Sequence, residues 1–425
     1  MPVAGRLEPF VAKLVGDVPI RLEFWDGSAL GPPDAKAAVA VKTPNAVRRI
    51  LWAPNELGPG RAYIAGELDV DGDVFTLIEA LKPAGVHLDS ASKRAIPFAL
   101  VGALRVGALG LPPAPPPEEA RPRGRRHSKR RDASAISHHY DVGNEFYEIV
   151  LGPAMTYSCA RFTDPRMDLA EAQASKHDMI CRKLGLSERS GLRMLDVGCG
   201  WGSLVLHAAQ HYGARVVGIT ISEEQAVYAR RRVEAAGLAD RVEIRLQDYR
   251  DLTGEQFDAI SSVGMFEHVG AERMAEYFRV LRSLLGDHGR LLNHAISSVG
   301  GSKIAKNSFV GRYVFPDGEL IDVGRVVLAM QDAGFEVRDV ESLREHYALT
   351  LRAWVANLEA QWARAVELVG EARARVWRLY MAASAIGFED GGLGLHQVLG
   401  VVADADGNSG MPRTRDVWSA MRQKA

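Results

Sequence analysis

The sequence predicts an α/β protein with a doubly wound, mostly parallel sheet, preceded by a small α+β domain. From about residue 135 onward, short apolar runs alternate with glycine turns and helical periodicity, a pattern that places helices on both faces of a parallel sheet. Residues 1–110 instead mix short strands with helical segments, and a proline-rich, basic stretch over 111–134 separates the two regions. We therefore expect an accessory domain (1–110), a linker (111–134) and a larger second domain (135–425).

The accessory domain carries two strand signals and one helix signal. Residues 19–25 alternate apolar and polar side chains, and residues 37–42 form a second short apolar run. A helix over 44–52 begins with Pro44, whose fixed φ suits the first helical turn. These elements predict a small α+β unit.

The linker combines extended and charged sequence. Prolines between 111 and 117 enforce an extended chain, because proline fixes φ and lacks an N–H donor. Residues 121–131 carry seven Lys or Arg side chains and no acid. This run is either a solvated connector or a segment attracted to anionic lipid headgroups, at about 1 kcal/mol per basic residue near the surface. Nucleic-acid binding is disfavoured, because aromatic side chains do not interleave with the basic ones and the formal net charge is −1.

Cysteine usage and hydropathy predict a cytoplasmic protein that can touch a membrane without crossing it. Three cysteines are too few for a disulfide framework, which favours a reducing compartment. The first residues lack the apolar core of a signal peptide. Residues 96–111 are the most apolar run, but Arg105 interrupts them before they reach the ~18 residues that a membrane span needs.

The second domain alternates strands and helices in a regular order. We predict strands at 193–197, 215–219, 241–246, 257–263 and 289–294, and helices at 203–212, 223–236 and 273–285. Gly213 and Gly237 are placed to end the first two helices.

A glycine-rich loop joins the first of these strands to its helix. Its sequence, Asp196-Val-Gly-Cys-Gly-Trp-Gly, permits positive φ and close approach of a ligand to the backbone at Gly198 and Gly200. We expect Asp196 to hold the loop by accepting backbone N–H bonds. A dinucleotide site would place an acid about 20 residues further on, yet the second strand ends at Thr220 without a carboxylate. The loop therefore favours S-adenosylmethionine over NAD.

Several motifs resemble, in order, those of the cyclopropane-fatty-acyl-phospholipid synthase family. The motifs are His139–Asn144, Met155–Ala160, Leu195–Gly202, Gly218–Gln225, Val263–Gly270, Tyr313–Gly318 and Tyr347–Trp354. The resemblance implies a class I methyltransferase fold with a seven-stranded, Rossmann-like sheet, and an accessory domain like that of the phospholipid-acting members. The cofactor contacts that it implies are Tyr157, Ser158, Asp196, Gly198, Gly200, Thr220, Gln225, Asp248 and Tyr249. Asp248 would accept a bond from the adenine amino group, although a cap or turn role remains open.

The same resemblance implies a bound bicarbonate as catalytic base, and no metal. Its implied ligands are Cys159, Glu267, His294, the backbone of Ile296, and Tyr347. Taken singly, Cys159 could be a small buried hydrophobe, His294 a core histidine and Tyr347 a packing aromatic. Glu267 beside an anion requires that the two share a proton.

The function that follows is transfer of a one-carbon unit from S-adenosylmethionine to the cis double bond of an unsaturated phospholipid chain. The product is either a cyclopropane or a 10-methylene chain, which a partner reductase would convert to a 10-methyl chain; the C-terminal sequence from Gly394 favours the methylene product. We expect a homodimer at the inner face of the cell membrane, held partly by residues 121–131. The alternatives are a methyltransferase for a small soluble molecule and a non-catalytic lipid-binding protein.

Overall fold

The computed structural model describes residues 1–15, 20–81, 101–120, 142–301, 304–305, 307–316 and 318–419. The basic run 121–131 and residues 139–141 of the first family motif lie outside this part of the chain. Contacts divide the chain into two compact units. Unit 1 comprises Met1–Arg121, Ala305–Pro316 and Leu358–Ile386, and unit 2 comprises Pro122–Ile304, Asp317–Asn357 and Gly387–Ala425.

The elements, in chain order, include fifteen labelled helices and eleven strands within the described residues. The helices are α1 (Val3–Val15), α2 (Pro44–Trp52), α3 (Leu57–Ile64), α4 (Val74–Leu81), α5 (Asn144–Leu151), α6 (Leu169–Lys183), α7 (Ser203–Tyr212), α8 (Glu223–Ala235), α9 (Met274–Ser283), α10 (Phe309–Tyr313), α11 (Val323–Asp332), α12 (Arg344–Ala360), α13 (Trp362–Val369), α14 (Glu371–Glu389) and α15 (Asp416–Ser419). The strands are β1 (Ile20–Phe24), β2 (Ala29–Leu30), β3 (Ala37–Val41), β4 (Leu68–Asp71), β5 (Arg193–Val197), β6 (Arg215–Thr220), β7 (Val242–Leu246), β8 (Phe257–Val263), β9 (Leu285–Ser298), β10 (Glu336–Ser342) and β11 (Leu393–Val401).

Unit 1 is built on a four-stranded sheet in the order β2-β1-β3-β4. β1 runs parallel to β3, and the other two pairs are antiparallel. Phe24, Val41, Val47 and Tyr63 are among the side chains of its buried core. The predicted small α+β unit is therefore present, with its predicted helix at Pro44–Trp52.

Unit 1 also contains segments that the sequence assigned elsewhere. Arg375, on α14, donates hydrogen bonds to the carbonyls of Tyr63 at 2.9 Å and Leu68 at 3.1 Å. Within the predicted linker, Glu119 is 6% exposed and forms an ion pair with Arg61 at 2.7 Å. The start of the predicted linker therefore packs against the accessory domain. The predicted second domain is not continuous, because the segment that carries Arg375 belongs to unit 1.

Unit 2 is built on a seven-stranded sheet in the order β10-β11-β9-β8-β5-β6-β7. The strands from β5 to β9 pair in parallel, and β11 is antiparallel to both neighbours. This confirms the predicted doubly wound, mostly parallel α/β fold. Successive side chains of β5 pack on opposite faces, since Met194 belongs to one buried cluster and Leu195 to another.

None of the helices in the described part of the chain is long and apolar enough to cross a bilayer.

Candidate active site

A cavity of about 160 Å³ lies in unit 2 beyond the carboxyl ends of β5, β6, β7 and β8. This edge is where ligands bind in open parallel sheets, because the loops that follow the strands converge there. The structure brings all nine predicted cofactor contacts to the cavity wall: Tyr157, Ser158, Asp196, Gly198, Gly200, Thr220, Gln225, Asp248 and Tyr249. We call it the cofactor cavity.

The glycine loop has the predicted conformation but not the predicted anchor. Gly198 and Gly200 have φ values of 81° and 53°, in the region that favours glycine. The N–H groups of Gly198 and Cys199 each donate to the Ile219 carbonyl at 2.9 Å. The expectation that Asp196 holds these N–H groups was wrong, because β6 lies beside the loop and supplies the acceptor.

Asp196 is instead hydrogen-bonded to β8, and it also lines the cofactor cavity. Its Oδ1 accepts a hydrogen bond from the Ser261 hydroxyl at 2.6 Å, and only 2% of the residue is exposed. Burial, partly offset by the Ser261 bond, raises the pKa of Asp196 to about 6. The side chain therefore carries a negative charge at neutral pH where a cationic cofactor would lie.

The wall around Asp248, where the resemblance implied the adenine, is already hydrogen-bonded. Asp248 accepts bonds from the backbone N–H of Arg250 at 2.9 Å and from its guanidinium at 2.6 and 2.9 Å. Asp248 therefore has the turn role that the sequence left open, and it also lines the cavity. Thr220 donates to Gln225 Oε1 at 2.8 Å, so β6 ends in a pair of neutral groups.

The segment that carries Tyr157 and Ser158 is fixed by its neighbours. Ser203, at the start of α7, donates to the carbonyls of Ala154 and Met155 at 2.6 and 3.0 Å. The Tyr157 ring stacks on Trp354, with ring centroids 5.2 Å apart. These contacts hold Tyr157 and Ser158 in the cavity wall.

Lys176, on α6, lines the cofactor cavity and was missed in the sequence. It is 1% exposed, its amine donates to the Ser158 hydroxyl at 2.8 Å, and burial lowers the pKa of the amine to about 7. The available signal was a lysine on a helix face that also carries Ala172, Met179 and Ile180, all of which are buried. A cation on an apolar face indicates a local partner or a ligand.

None of the five predicted bicarbonate ligands lines the cofactor cavity. Two of them are hydrogen-bonded directly to each other. The backbone N–H of Ile296 donates to Glu267 Oε1 at 2.7 Å. His294 stands two residues earlier on β9, on the same face of the sheet. Gln397, on the adjacent β11, donates to His294 Nδ1 at 3.1 Å. We call Glu267, His294, Ile296 and Gln397 the Glu267 cluster.

Polar atoms of the Glu267 cluster are buried without a hydrogen-bond partner among the described residues. They are Glu267 Oε2, His294 Nε2 and Gln397 Oε1. Burial raises the pKa of Glu267 to about 7 and lowers the pKa of His294 well below its usual value. Glu267 is thus close to half protonated near neutral pH, while His294 is neutral with its proton on Nε2 when Gln397 donates to Nδ1. Buried polar atoms are rarely left unsatisfied, so the cluster fits a small polar ligand.

Cys159 and Tyr347 contact residues outside the Glu267 cluster. The Cys159 thiol is fully buried and donates to the carbonyls of Ala160 at 3.1 Å and Leu343 at 3.6 Å. Burial raises the pKa of this thiol, which disfavours a nucleophilic thiolate. Tyr347, on α12, packs against Phe388 with ring centroids 4.7 Å apart.

Comparisons with known proteins show the family of this chain. Residues 127–398 match the family described as mycolic acid cyclopropane synthetase. The chain belongs to this family. It is 44% identical to a probable fatty acid methyltransferase of Mycobacterium tuberculosis, over 97% of both chains. It is 33% identical to the tuberculostearic acid methyltransferase UfaA1 of the same organism, over 93% of this chain and 90% of the relative.

A solved structure of the same family shares the fold. The mycolic acid cyclopropane synthase CmaA1, complexed with S-adenosylhomocysteine and CTAB, superposes with a TM-score of 0.59 and 32% identity, covering 63% of this chain and 97% of CmaA1. The chain is therefore an S-adenosylmethionine-dependent methyltransferase of the cyclopropane fatty acid synthase type, and it acts on lipid acyl chains.

Proposed function

We propose that this enzyme adds a one-carbon unit to the cis double bond of an unsaturated phospholipid chain, with a bicarbonate bound at the Glu267 cluster. When bound, S-adenosylmethionine supplies an electrophilic methyl group and bicarbonate supplies a weak base. The alkene carbon takes the methyl group, and a proton must then leave the alkylated chain. When the proton leaves the new methyl group, the electrons of that C–H bond close a cyclopropane onto the neighbouring cationic carbon. When a hydride first moves from the alkylated carbon to that neighbour, the same C–H electrons form the double bond of a methylene group.

The observation that carries this proposal is the pair of buried, unsatisfied atoms Glu267 Oε2 and His294 Nε2. In its protonated form Glu267 can donate a hydrogen bond to an oxyanion, and so can His294 from Nε2. The Ile296 N–H is already bonded to Glu267, so we assign it the role of orienting that carboxyl group. Cys159 and the Tyr347 hydroxyl complete the proposed anion site.

Aromatic side chains near this region suit a reaction with a cationic intermediate. Trp354 stacks on Tyr157 at 5.2 Å and meets Tyr347 edge-on at 6.0 Å between ring centroids. Ring faces stabilise a nearby positive charge, and packed rings exclude the water that would quench it. A methyltransferase for a small polar molecule would have no need of such a wall.

For the product we favour the 10-methylene chain, which a partner reductase would saturate to a 10-methyl chain. The similarity to a tuberculostearic acid methyltransferase over 93% of this chain supports this choice. The cyclopropane is the alternative, and the similarity to CmaA1 supports it at nearly equal identity. The position of the base relative to the alkylated carbon would select between them.

We further propose that a homodimer works at the cytoplasmic membrane surface. Unit 1 exposes apolar side chains beside basic ones: Trp52 is 58% exposed and Leu104 66% exposed, and Arg105 is exposed next to Leu104. The Trp52 indole donates to the Gly110 carbonyl at 3.0 Å, which ties α2 to the segment containing Leu104 and Leu111. Such a surface suits an anionic bilayer.

Turnover on defined lipids tests the reaction and its product. The purified enzyme is incubated with S-adenosylmethionine and phosphatidylglycerol vesicles that carry oleoyl chains, with and without bicarbonate. We expect a chain heavier by one CH₂, formed faster with bicarbonate, and NMR vinylidene signals rather than cyclopropane signals. Modification of a soluble acceptor but not of vesicles would overturn the proposed substrate.

Vesicle binding tests the membrane surface. Replacing Trp52 and Leu104 together with Ser should weaken affinity about 10-fold at any salt concentration, because the lost contribution is apolar. Neutralising the basic residues of 121–131 should weaken it only at low salt. Val227→Ser and Leu246→Ser, exposed apolar residues of unit 2, provide the matched control. Unchanged affinity in both sets would remove the membrane proposal.

A further inference from the structure

Gln397 is a buried amide that reaches the Glu267 cluster from β11. It stands directly opposite His294 in the antiparallel pair of β11 and β9, and its side-chain NH₂ group donates to His294 Nδ1 at 3.1 Å. Gln397 is 0% exposed and His294 is 1% exposed. Because directly opposite residues of paired strands project from the same face of the sheet, the partner strand supplies the group that holds this imidazole.

The second atom of the Gln397 amide fixes the orientation of the group. Gln397 Oε1 is buried and finds no hydrogen-bond partner among the residues that the structure describes. Turning the amide over would place its NH₂ group, which has two donors, at this position without an acceptor. Buried N–H groups are left unsatisfied less often than buried carbonyl oxygens. The amide nitrogen therefore faces the imidazole and donates to it.

The tautomer of His294 follows from this hydrogen bond. Burial, together with Lys176 and Lys183, holds the pKa of His294 well below its usual range, so the imidazole is neutral. A neutral imidazole has one N–H and one lone pair, and the lone pair must be on Nδ1 to accept from Gln397. The proton is therefore on Nε2, which is buried, lacks a partner in the described part of the chain, and can donate to a ligand.

The stability of the sheet does not require the Gln397 amide. An unsatisfied buried amide oxygen costs about 1 to 3 kcal/mol, whereas a hydrogen bond contributes about 1 kcal/mol net. Methionine has nearly the same length and volume, and at this position it would remove the cost of Oε1 while losing the single bond to His294. What the amide adds is therefore its effect on the imidazole.

We propose that Gln397 is a positioning residue that selects the tautomer of His294, so that Nε2–H donates a hydrogen bond to the anion at the Glu267 cluster. Without the bond from Gln397 the proton can reside on Nδ1, and Nε2 then presents a lone pair that repels an oxyanion. Ile296 orients the Glu267 carboxyl group, and Gln397 does the same for the imidazole. This role rests on the proposed function, because the anion is the proposed bicarbonate, but the tautomer can be observed without it.

Histidine NMR of the full-length enzyme tests the tautomer. The protein is labelled with ¹³C and ¹⁵N at histidine, and loss of signals in His294→Gln assigns those of His294. We expect the wild type to show a protonated Nε2 and an unprotonated Nδ1. Gln397→Met should show both tautomers, because nothing then bonds to Nδ1. A wild-type proton on Nδ1, or a single Nε2–H tautomer retained in Gln397→Met, would overturn the proposal.

Turnover at increasing bicarbonate concentration measures the consequence for the anion. In Gln397→Met the half-saturating bicarbonate concentration should rise about 10-fold, which corresponds to the loss of one hydrogen bond to a charged group. Calorimetric affinity for S-adenosylmethionine and the Tm should both stay at the wild-type level. A merely structural role would instead lower the Tm and weaken cofactor binding together with turnover, and that result would contradict the proposal.

Asn293→Leu is the matched control. Asn293 precedes His294 on β9 and projects from the opposite face of the sheet. It is also a buried amide, 1% exposed, and its Oδ1 is likewise unsatisfied within the described ranges. Its replacement should leave the His294 tautomer and the bicarbonate dependence unchanged. If Gln397→Met does not fold, Gln397→Leu carries the same comparison, and the wild-type tautomer is measured without any variant.

Failure of the proposed function gives a different pattern from failure of the Gln397 role. Wild-type turnover that does not respond to bicarbonate would overturn the anion site, and the donor role of His294 with it, even if NMR shows Nε2–H. A normal bicarbonate response that is unchanged in Gln397→Met would overturn only the role of Gln397.

Discussion

The cofactor cavity and the Glu267 cluster lie in the same unit but are built differently. The cavity wall comes largely from loops that follow neighbouring strands, and many of its polar side chains are bonded to one another, as Asp248 is to Arg250 and Thr220 to Gln225. The Glu267 cluster draws on β9, β11 and the turn after β8, and leaves Glu267 Oε2 and His294 Nε2 unsatisfied. This difference predicts that cofactor binding and the proposed chemistry can be separated by mutation. The polar groups of the cavity wall are bonded to one another, whereas the Glu267 cluster retains hydrogen-bonding capacity for a ligand.

We expect Glu267→Gln to have the largest effect, because it should abolish turnover and leave cofactor binding intact. Turnover should fall at least about 100-fold, because the amide keeps the acceptor for Ile296 but cannot exchange a proton. Affinity for S-adenosylmethionine, measured by calorimetry, should stay within about 2-fold, since Glu267 is outside the cavity lining. Glu319→Gln is the matched control, because Glu319 also accepts a backbone N–H, that of Ala271 at 2.9 Å. Wild-type turnover in Glu267→Gln would refute the proposed base site.

Gly198→Ala should produce the reverse pattern with a smaller effect. Alanine is strained at a φ of 81°, and its Cβ would lie 3.1 Å from Met265. We expect the KM for S-adenosylmethionine to rise about 10-fold while kcat at saturation changes little. Gly237→Ala is the control, because Gly237 has a φ of 66° with open space around it at the end of α8. A loss confined to kcat would show that the two regions are not separable.

The protonation of Glu267 should also make the free energy of unfolding depend on pH. Its pKa is raised from 4.5 in the unfolded chain to about 7, so the folded protein binds the extra proton. Its contribution to stability is therefore fully present below pH 4.5 and is lost as pH rises through 7. Relative to Glu267→Gln, the wild type should lose on the order of 2 kcal/mol of unfolding free energy between pH 5 and 8. Denaturant titrations of both proteins at the two pH values measure this, and parallel pH curves would contradict a buried, proton-sharing carboxyl.

A mutation in unit 1 should have the smallest effect on either region. A Cβ on Gly60 would lie 2.6 Å from the Phe309 ring, so Gly60→Ala should cost about 1 to 3 kcal/mol of stability. Thermal unfolding measures this cost. Affinity for the methyl donor should remain that of the wild type, with Gly66→Ala, strained but open, as the control.

Elements with local signals could be predicted from the sequence. β5 and β8 lie at their predicted residues, and so does α7, because an apolar run ending in glycines specifies both the strand and the turn. The same loop indicated the class of ligand, and the ordered motifs indicated the family. Periodicity and turn chemistry act over a few residues, so they can be read without knowledge of the fold.

Features that depend on distant partners could not be predicted from the sequence. β9 extends to Leu285–Ser298 rather than the predicted 289–294, because β8 and β11 pair along it. The Gly198 N–H donates to the Ile219 carbonyl and not to Asp196. Arg375 donates to the carbonyls of Tyr63 and Leu68, more than 300 residues earlier in the chain. Hydrogen-bond partners and burial are set by packing between segments far apart in the chain, and no local pattern encodes them. For the same reason Lys176 is recognisable only in the fold, which buries its amine beside Ser158 and lowers the pKa of that amine to about 7.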